Sequence, residues 1–150
     1  MDTFGINFSI SSRSLHRLLK ADPELIQRDT VRDIVIKKGL NDIAISVREE
    51  SVKLVGTFVL FGYDISSMYL DGLIFCLNDK GVSVRKSVVN IFREVMLHQP
   101  NHPLYSEICR CLLVLGWNPK EEETIRDVVS STFHKVWFSP PSATVLSSAC

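Results

Sequence analysis

The sequence of 150 residues lacks net charge, a long apolar run and the short motifs of common catalytic sites. Basic and acidic residues each number 17, so no bulk electrostatic attraction to nucleic acid is expected. No apolar run approaches the ~20 residues of a membrane-spanning helix, and Met1-Asp2 does not begin a secretory signal. The motifs GxSxG, GxxxxGK[S/T], GxGxxG and HExxH are missing. We therefore expect neither an enzyme nor a membrane or secreted protein.

Cysteine is also scarce, with four residues at irregular spacings. Cys109 and Cys111 are two positions apart, so on a helix they point away from each other, and no Cys-x-x-Cys pair is present. The run Glu121-Glu122-Glu123 stands where a helix is expected to begin, and the helix dipole favours acidic residues there. We expect reduced thiols and no metal, cofactor or catalytic residue.

An internal repeat is the main feature that the sequence does contain. Leu40–Leu60, LNDIAISVREESVKLVGTFVL, returns 37 residues later as Leu77–Leu97, LNDKGVSVRKSVVNIFREVML. Both copies begin with Leu-Asn-Asp and carry Ser-Val-Arg near the middle. A fixed period of this length indicates stacked helical hairpins.

The apolar positions of the copies coincide and are spaced as on one face of an α-helix. They are Val47, Leu54, Val55, Phe58 and Val59 in the first copy, Val84, Ile91, Phe92, Val95 and Met96 in the second, and, after a shift of 41 residues, Ile125, Val129, Phe133, Val136 and Trp137 in a third. A shorter apolar segment precedes each copy. The sequence thus predicts an all-α solenoid of about three helix pairs plus a partial N-terminal helix.

Breakers and caps between these segments set the predicted boundaries. Asp29-Thr30 is a suitable N-cap pair for the first helix of the first pair. The predicted array covers residues 12–138, with repeats at about 28–61, 65–99 and 103–138, between an N-terminal tail at 1–11 and a flexible C-terminal tail at 139–150.

A regular spacing of aspartate and arginine narrows the type of repeat. Asp42 precedes Arg48 by six positions, and Asp79 precedes Arg85 by six. An aspartate in the turn between paired helices can therefore meet an arginine in the first turn of the second helix. We expect a structural ladder, with bonds within each repeat and to its neighbour, as in HEAT repeats.

The third copy departs from this pattern. Lys120 occupies the aspartate position ahead of Arg126, so no matching rung is expected there.

Four segments carry a more specific resemblance. SVREESVKLVGTFVL, YLDGLIFCLNDKGVSVRKSVVNIFREVMLHQP, EICRCLL and FHKVWFSP resemble, in this order, the central HEAT array of the Nipped-B family, the large subunit of the cohesin-loading complex. The likeness covers about Arg28–Pro141. It implies a nuclear, chromosomal protein that binds cohesin subunits and double-stranded DNA or chromatin, and that promotes cohesin loading and sister chromatid cohesion. It also implies a small tetratricopeptide-like partner, held by a region of full-length members outside this segment.

The same resemblance implies cohesin or DNA contacts on the second helices of the pairs. We assign them to Lys86 and Arg93, which lie off the apolar stripe. Thr57, Ser87 and Asn90 stand where the family pattern has basic residues, and fewer cations weaken binding to phosphates.

A second hypothesis is a protein-binding HEAT scaffold of another pathway, of the transport-receptor or phosphatase-scaffold type. Such a scaffold would share the ladder but not Trp137-Phe138-Ser139-Pro140.

Overall fold

A computed structural model describes residues 8–60 and 67–138, and in this part the chain is helical with no strand. The predicted C-terminal tail, 139–150, lies outside the described residues, as do residues 1–7 of the predicted N-terminal tail. The elements are α1 (Phe8–Ala21), a 3₁₀ turn (Pro23–Gln27), α2 (Asp29–Asp33) continued by a π-helical segment (Ile34–Gly39), α3 (Ile45–Leu60), α4 (Ser67–Cys76), α5 (Val82–His98), α6 (Tyr105–Trp117) and α7 (Glu123–Phe138).

These helices form pairs that stack in chain order. We call α3, α5 and α7 the B helices, and α2 with its π-helical segment, α4 and α6 the A helices. B helix packs against B helix, α3 on α5 and α5 on α7, while α4 contacts both α3 and α5 and α6 contacts both α5 and α7. Helix α1 packs against α3, as the B helix of an incomplete pair would. The predicted all-α solenoid is therefore confirmed. None of the described helices has the length and apolarity needed to cross a membrane.

A continuous core runs between the A and B helices. All the predicted stripe residues of α3 and α5 are buried, and Phe92 is only 1% exposed. On α7, Ile125, Val129 and Phe133 are buried, but Trp137 is 59% exposed and lies against Phe133 with ring centroids 4.7 Å apart. Trp137 therefore belongs to the apolar stripe predicted for the third copy but not to the core. Helix α4 packs against the preceding α3 and helix α6 against the preceding α5, and no such helix follows α7 among the described residues.

Two predicted boundaries also differ from the structure. Helix α1 begins at Phe8, inside the residues assigned to an N-terminal tail. Asp29 lies in the first turn of α2 rather than ahead of it, and the N-cap residue, Arg28, makes no side-chain capping bond. Asp29 instead forms an ion pair with Arg32, with Oδ1 and Nη2 2.7 Å apart. A carboxylate in the first turn still interacts favourably with the helix dipole.

Helices α3 and α5 approach each other closely at Gly56. A Cβ atom placed on Gly56 would lie 2.3 Å from Ile91 Cδ1, so only glycine allows this approach. The 37-residue period puts Arg93 at the equivalent position of α5.

Two side chains connect elements that are distant in sequence. The Tyr69 hydroxyl, fully buried on α4, donates to the Ile26 carbonyl at 2.9 Å. The Gln99 side-chain amide donates to the carbonyls of Val59 and Leu60 at 3.2 and 3.3 Å. Gln99 thereby satisfies acceptors that the C-terminus of α3 leaves without helical partners.

Candidate functional site

The first rung of the ladder joins two consecutive pairs through Arg48. Its Nε donates to Asp79 Oδ2 at 2.7 Å and its Nη2 to Asp79 Oδ1 at 2.9 Å. Its Nη1 donates to the main-chain carbonyls of Asp42 and Ile43 at 2.7 and 3.0 Å. One guanidinium thus holds its own turn through carbonyls and the turn of the following pair through a bidentate ion pair.

The second rung repeats this geometry at Arg85. Nε and Nη2 donate to the Glu121 carboxylate at 3.0 and 2.7 Å, and Nη1 donates to the Asp79 carbonyl at 2.7 Å. Lys120, at the aligned aspartate position, is exposed. Glu121 is one residue further on and one methylene longer, and it supplies the carboxylate that the third copy was expected to lack.

The expected ion pairs within a repeat are not formed. The Asp42 carboxylate accepts the Ala44 N–H at 2.8 Å, and the Asp79 carboxylate accepts the Gly81 N–H at 2.7 Å and pairs with Arg48 rather than Arg85. The six-residue spacing places each arginine over its own turn, but there its guanidinium donates to the main-chain carbonyl of the aspartate rather than to the aspartate's carboxylate. The Asp79 carboxylate is held by its own turn and pairs with Arg48 of the preceding repeat.

Both rungs are largely shielded from solvent. Side-chain exposure is 11% and 9% for Arg48 and Asp79, and 15% and 4% for Arg85 and Glu121. Burial alone would raise the pKa of Asp79, but hydrogen bonds from Arg48 and the Gly81 N–H outweigh it and hold the pKa below its usual value. The same balance, with Arg85 and the Glu122 N–H, lowers the pKa of Glu121. The rungs are therefore ionised at neutral pH and fix how each pair sits on the next.

The two predicted contact residues lie on α5 in different surroundings. Lys86 is exposed and forms no ion pair with the described residues. Arg93 is half-buried, and its Nε is covered with no hydrogen-bond partner in the described part of the chain. The expectation that both side chains stay clear of the packed interior thus fits Lys86 better than Arg93.

A groove of about 300 Å³ runs between α3 and α5. Its lining is Lys53, Gly56, Thr57, Leu60, Ser87, Asn90 and Ile91. Lys53 is paired with Glu49 at 2.8 Å, and the remaining polar residues, Thr57, Ser87 and Asn90, are neutral. The groove therefore offers hydrogen-bonding groups without an excess of positive charge.

No group of three or more potential metal ligands occurs in the described residues. His98 and His102 have the four-residue spacing of a metal-binding pair, but α5 ends at His98, so the two side chains do not share a helix face. His98 lies 3.2 Å from Glu94, and His102 Nδ1 accepts the Leu104 N–H at 3.1 Å. Burial raises the pKa of the Cys76 thiol to about 11, which disfavours its reactive thiolate form.

Stacked helix pairs, joined at one edge by arginines that reach forward to a carboxylate of the following turn, define a HEAT-repeat protein. A family model described as "HEAT repeat associated with sister chromatid cohesion" matches residues 13–55. The chain is 38% identical over 128 residues to the Nipped-B protein of Drosophila melanogaster and 36% identical over 129 residues to the Nipped-B-like protein of Homo sapiens, each match covering 85% of the chain. It therefore belongs to the Nipped-B family.

A more distant relative is named for sister chromatid cohesion. The sister chromatid cohesion protein mis4 of Schizosaccharomyces pombe is 25% identical over 130 residues, or 87% of the chain. The chain spans only 6% of the fly relative, 4% of the human one and 8% of the yeast one. None of these names refers to an enzymatic activity.

Proposed function

We propose that this chain is a non-catalytic HEAT-repeat segment of a cohesin loader, acting on chromosomes in the nucleus in cohesin loading and sister chromatid cohesion. The observation that supports the proposal is similarity to Nipped-B proteins and to a sister chromatid cohesion protein across 85–87% of the chain. The rungs and the continuous core make the described array a surface of fixed geometry, which suits partner binding.

The contact surface in this proposal is the solvent side of α3 and α5, with Lys86 and Arg93 as its cations. The neighbouring groove is lined by the neutral side chains of Thr57, Ser87 and Asn90. Such a lining favours hydrogen bonds to a protein over a series of phosphate contacts. A cohesin subunit is therefore the main proposed partner and double-stranded DNA a weaker one. The small tetratricopeptide-like subunit is not assigned to this chain.

A pull-down from nuclear extract tests the proposal. The chain should recover cohesin core and kleisin subunits, and the Lys86→Glu/Arg93→Gln variant should bind them about tenfold more weakly. Glutamine is chosen at position 93 because it retains part of the stem that the structure covers. Lys80→Glu/Arg17→Gln is the matched control, since it makes the same charge change at exposed residues in an inter-helix turn and on α1.

A gel-shift titration with duplex DNA measures the weaker contact. Binding should fall with salt at a slope of about two in log–log form, because two cations release about two counterions. Cohesin recovery and DNA shifts equal to those of the wild type, in a folded double variant, would refute the surface. Recovery of transport cargo or phosphatase subunits in place of cohesin would favour a scaffold of another pathway.

A further inference from the structure

Helix α4 has a second stripe of largely apolar character on its solvent side. Its core-facing residues, all buried, are Tyr69, Leu70, Leu73 and Cys76. The second stripe, which we call the outer stripe, has the helical spacing i, i+3, i+4, i+7 and consists of Met68, Asp71, Gly72 and Phe75. Met68 is 42% exposed and Phe75 67% exposed. Helices that are apolar on all sides are usually buried on all sides, so the outer stripe indicates a surface that a partner covers.

The outer stripe forms one wall of a groove of about 370 Å³. The opposite wall comes from the π-helical segment and the turn after it, through Ile36, Leu40 and Asn41. The two walls meet closely at Gly72, where an added Cβ atom would lie 2.7 Å from Leu40 Cδ1. The volume of the groove falls in the range of ligand pockets, and Asn41 and Asp71 are the polar residues of its described lining.

One of these two polar side chains is already engaged. The Asn41 amide donates to the Ile36 carbonyl at 2.8 Å, and the Leu40 N–H donates to the Val35 carbonyl, five residues back, at 2.9 Å. These bonds hold the π-helical turn, a rare form that is frequent at functional sites. The Asp71 carboxylate, by contrast, is exposed and has no hydrogen bond or ion pair within the described chain. The groove therefore presents a single free anionic group.

Helix α6 carries different residues at the equivalent positions of its solvent side. A shift of 39 positions superposes the buried residues of the two helices, Tyr69, Leu73 and Cys76 on Ile108, Leu112 and Leu115. Under this shift, Glu107 takes the position of Met68. Arg110 takes that of Asp71, and its Nη2 lies 2.5 Å from Glu107 Oε1. The solvent side of α6 thus pairs its own charges, whereas the acid of α4 has an apolar neighbour and calls for a basic residue from a partner.

We propose that this groove docks an amphipathic helix of another protein, with a lysine or arginine between two large apolar residues. Met68 and Phe75 are about two helical turns, or about 10 Å, apart. Helices that bind in grooves use anchors at i, i+3, i+4 and i+7, so a partner helix lying along α4 meets Met68 and Phe75 with its residues i and i+7. Its basic residue, at i+3 or i+4, then lies opposite Asp71.

This groove is separate from the contact surface of the proposed function. It lies on the solvent side of the A helices, between α4 and the π-helical segment, whereas the proposed contact surface lies on the B helices α3 and α5. The inference therefore goes beyond the proposed function and does not depend on it.

A display selection tests the inference without assuming a sequence for the partner. The library is an alanine-based helix of about 15 residues, randomised at i, i+3, i+4 and i+7 and selected on the full chain. Clones that also bind the Met68→Gln/Phe75→Gln variant are removed. Since both residues are exposed, this variant should keep the wild-type circular dichroism spectrum. The remaining clones should carry lysine or arginine at i+3 or i+4 and large apolar residues at i and i+7.

Synthetic peptides of these clones give affinities by fluorescence polarisation. Asp71→Lys should weaken binding at least about tenfold, and a peptide with glutamate in place of its base should regain binding to this variant. Glu123→Lys, the same charge change at an exposed residue of α7, is the control. Lys86→Glu/Arg93→Gln should bind the peptides with wild-type affinity, which distinguishes this groove from the surface of the proposed function.

The inference is overturned if the selection recovers no clone that depends on Met68 and Phe75, or only clones without a base. It also fails if the peptides bind Asp71→Lys as tightly as the wild type, or if Lys86→Glu/Arg93→Gln abolishes their binding. Size-exclusion chromatography of the chain should show a monomer. A dimer that Met68→Gln/Phe75→Gln dissociates would instead assign the groove to a second copy of the chain and would also overturn the proposal.

Discussion

Glu121 and Glu123 carry the same charge at the start of the same helix, yet only one of them is part of a rung. The Glu121 side chain is 4% exposed and accepts hydrogen bonds from Arg85 and from the Glu122 N–H. Glu123 is exposed and makes none of these contacts. At the scale of the residue, the environment of a carboxylate therefore decides its contribution to stability.

Replacing each of the two glutamates by glutamine tests this difference. Glu121→Gln should lower the free energy of unfolding by about 1–3 kcal/mol, because Arg85 is left without its charged acceptor in a shielded place. Glu123→Gln should change it by less than about 0.5 kcal/mol. Urea denaturation followed by circular dichroism gives both values. Equal losses would show that Glu121 acts through the helix dipole alone.

The ladder was only partly predictable from sequence. The six-residue spacing correctly marked Arg48 and Arg85, since a first-turn arginine must lie over the preceding turn. The sequence could not show that each arginine pairs with a carboxylate of the following repeat rather than with the aspartate of its own turn. Main-chain carbonyls compete for the guanidinium, and every residue type carries such a carbonyl. The role of Glu121 was only weakly indicated by the sequence. It is an acidic residue one position after Lys120, which aligns with Asp42 and Asp79, and its side chain is longer than that of aspartate.

At the scale of the helix, the junction between α3 and α5 depends on the absence of a side chain at Gly56. Ile91 fills that space, with Cδ1 and Cγ1 only 2.3 and 2.6 Å from the position of a Cβ. Helix periodicity predicts the buried stripes well, since burial on one face needs only the correct residue type. It does not predict which glycine marks a close helix crossing, or that Trp137 stays uncovered, since both depend on the neighbouring helix.

An added methyl group at Gly56 should therefore force the two B helices apart. We expect Gly56→Ala to destabilise the chain by about 1–3 kcal/mol through overpacking. In an Ile91→Ala background, the destabilisation caused by Gly56→Ala should be smaller by at least about 0.5 kcal/mol, because the side-chain atoms that would clash are absent. Thr57→Ala, half-buried on the same helix, is the control for helix propensity. A loss at Gly56 that is independent of residue 91 would contradict the close approach. Thermal melts of the four-member cycle supply the comparison.

At the scale of the whole molecule, the solenoid is held by contacts between neighbouring pairs, with apolar stripes inside and ion pairs along one edge. The core is continuous along the array, but each helix pair packs mainly on its neighbours, so each junction contributes separately to stability. The two rungs are the electrostatic part of that junction energy, and they make it depend on pH.

The pH dependence follows from the lowered pKa values of Asp79 and Glu121. In the unfolded chain these groups bind protons near pH 4, whereas the folded chain keeps them ionised at lower pH. Their contribution is therefore complete above about pH 5 and is lost as pH falls below about 4. Melting temperatures measured from pH 7 to pH 3 should show a steep decline at the acidic end.

The double variant Asp79→Asn/Glu121→Gln should have a lower Tm than the wild type at pH 7. Its Tm should also fall less between pH 7 and pH 3. Some decline should remain, because ion pairs also lower the pKa values of Glu49 and Glu107. The control Asp71→Asn/Glu123→Gln removes two exposed carboxylates outside the rungs and should keep the full slope. A double rung variant with the wild-type slope would mean that other groups govern acid unfolding.

The hydrogen bond from the Tyr69 hydroxyl to the Ile26 carbonyl joins residues 43 positions apart. It bears on the rate at which the N-terminal end of the solenoid opens. It connects the turn after α1 with the second helix pair, so α1 and its turn cannot peel away from the array without uncovering the phenol. Burial raises the pKa of Tyr69, and the ring should stay un-ionised in mild alkali while the array is closed. With Tyr63 and Tyr105 replaced by phenylalanine, the rise of tyrosinate absorbance after a jump to high pH would then measure the rate at which the N-terminal end of the solenoid opens.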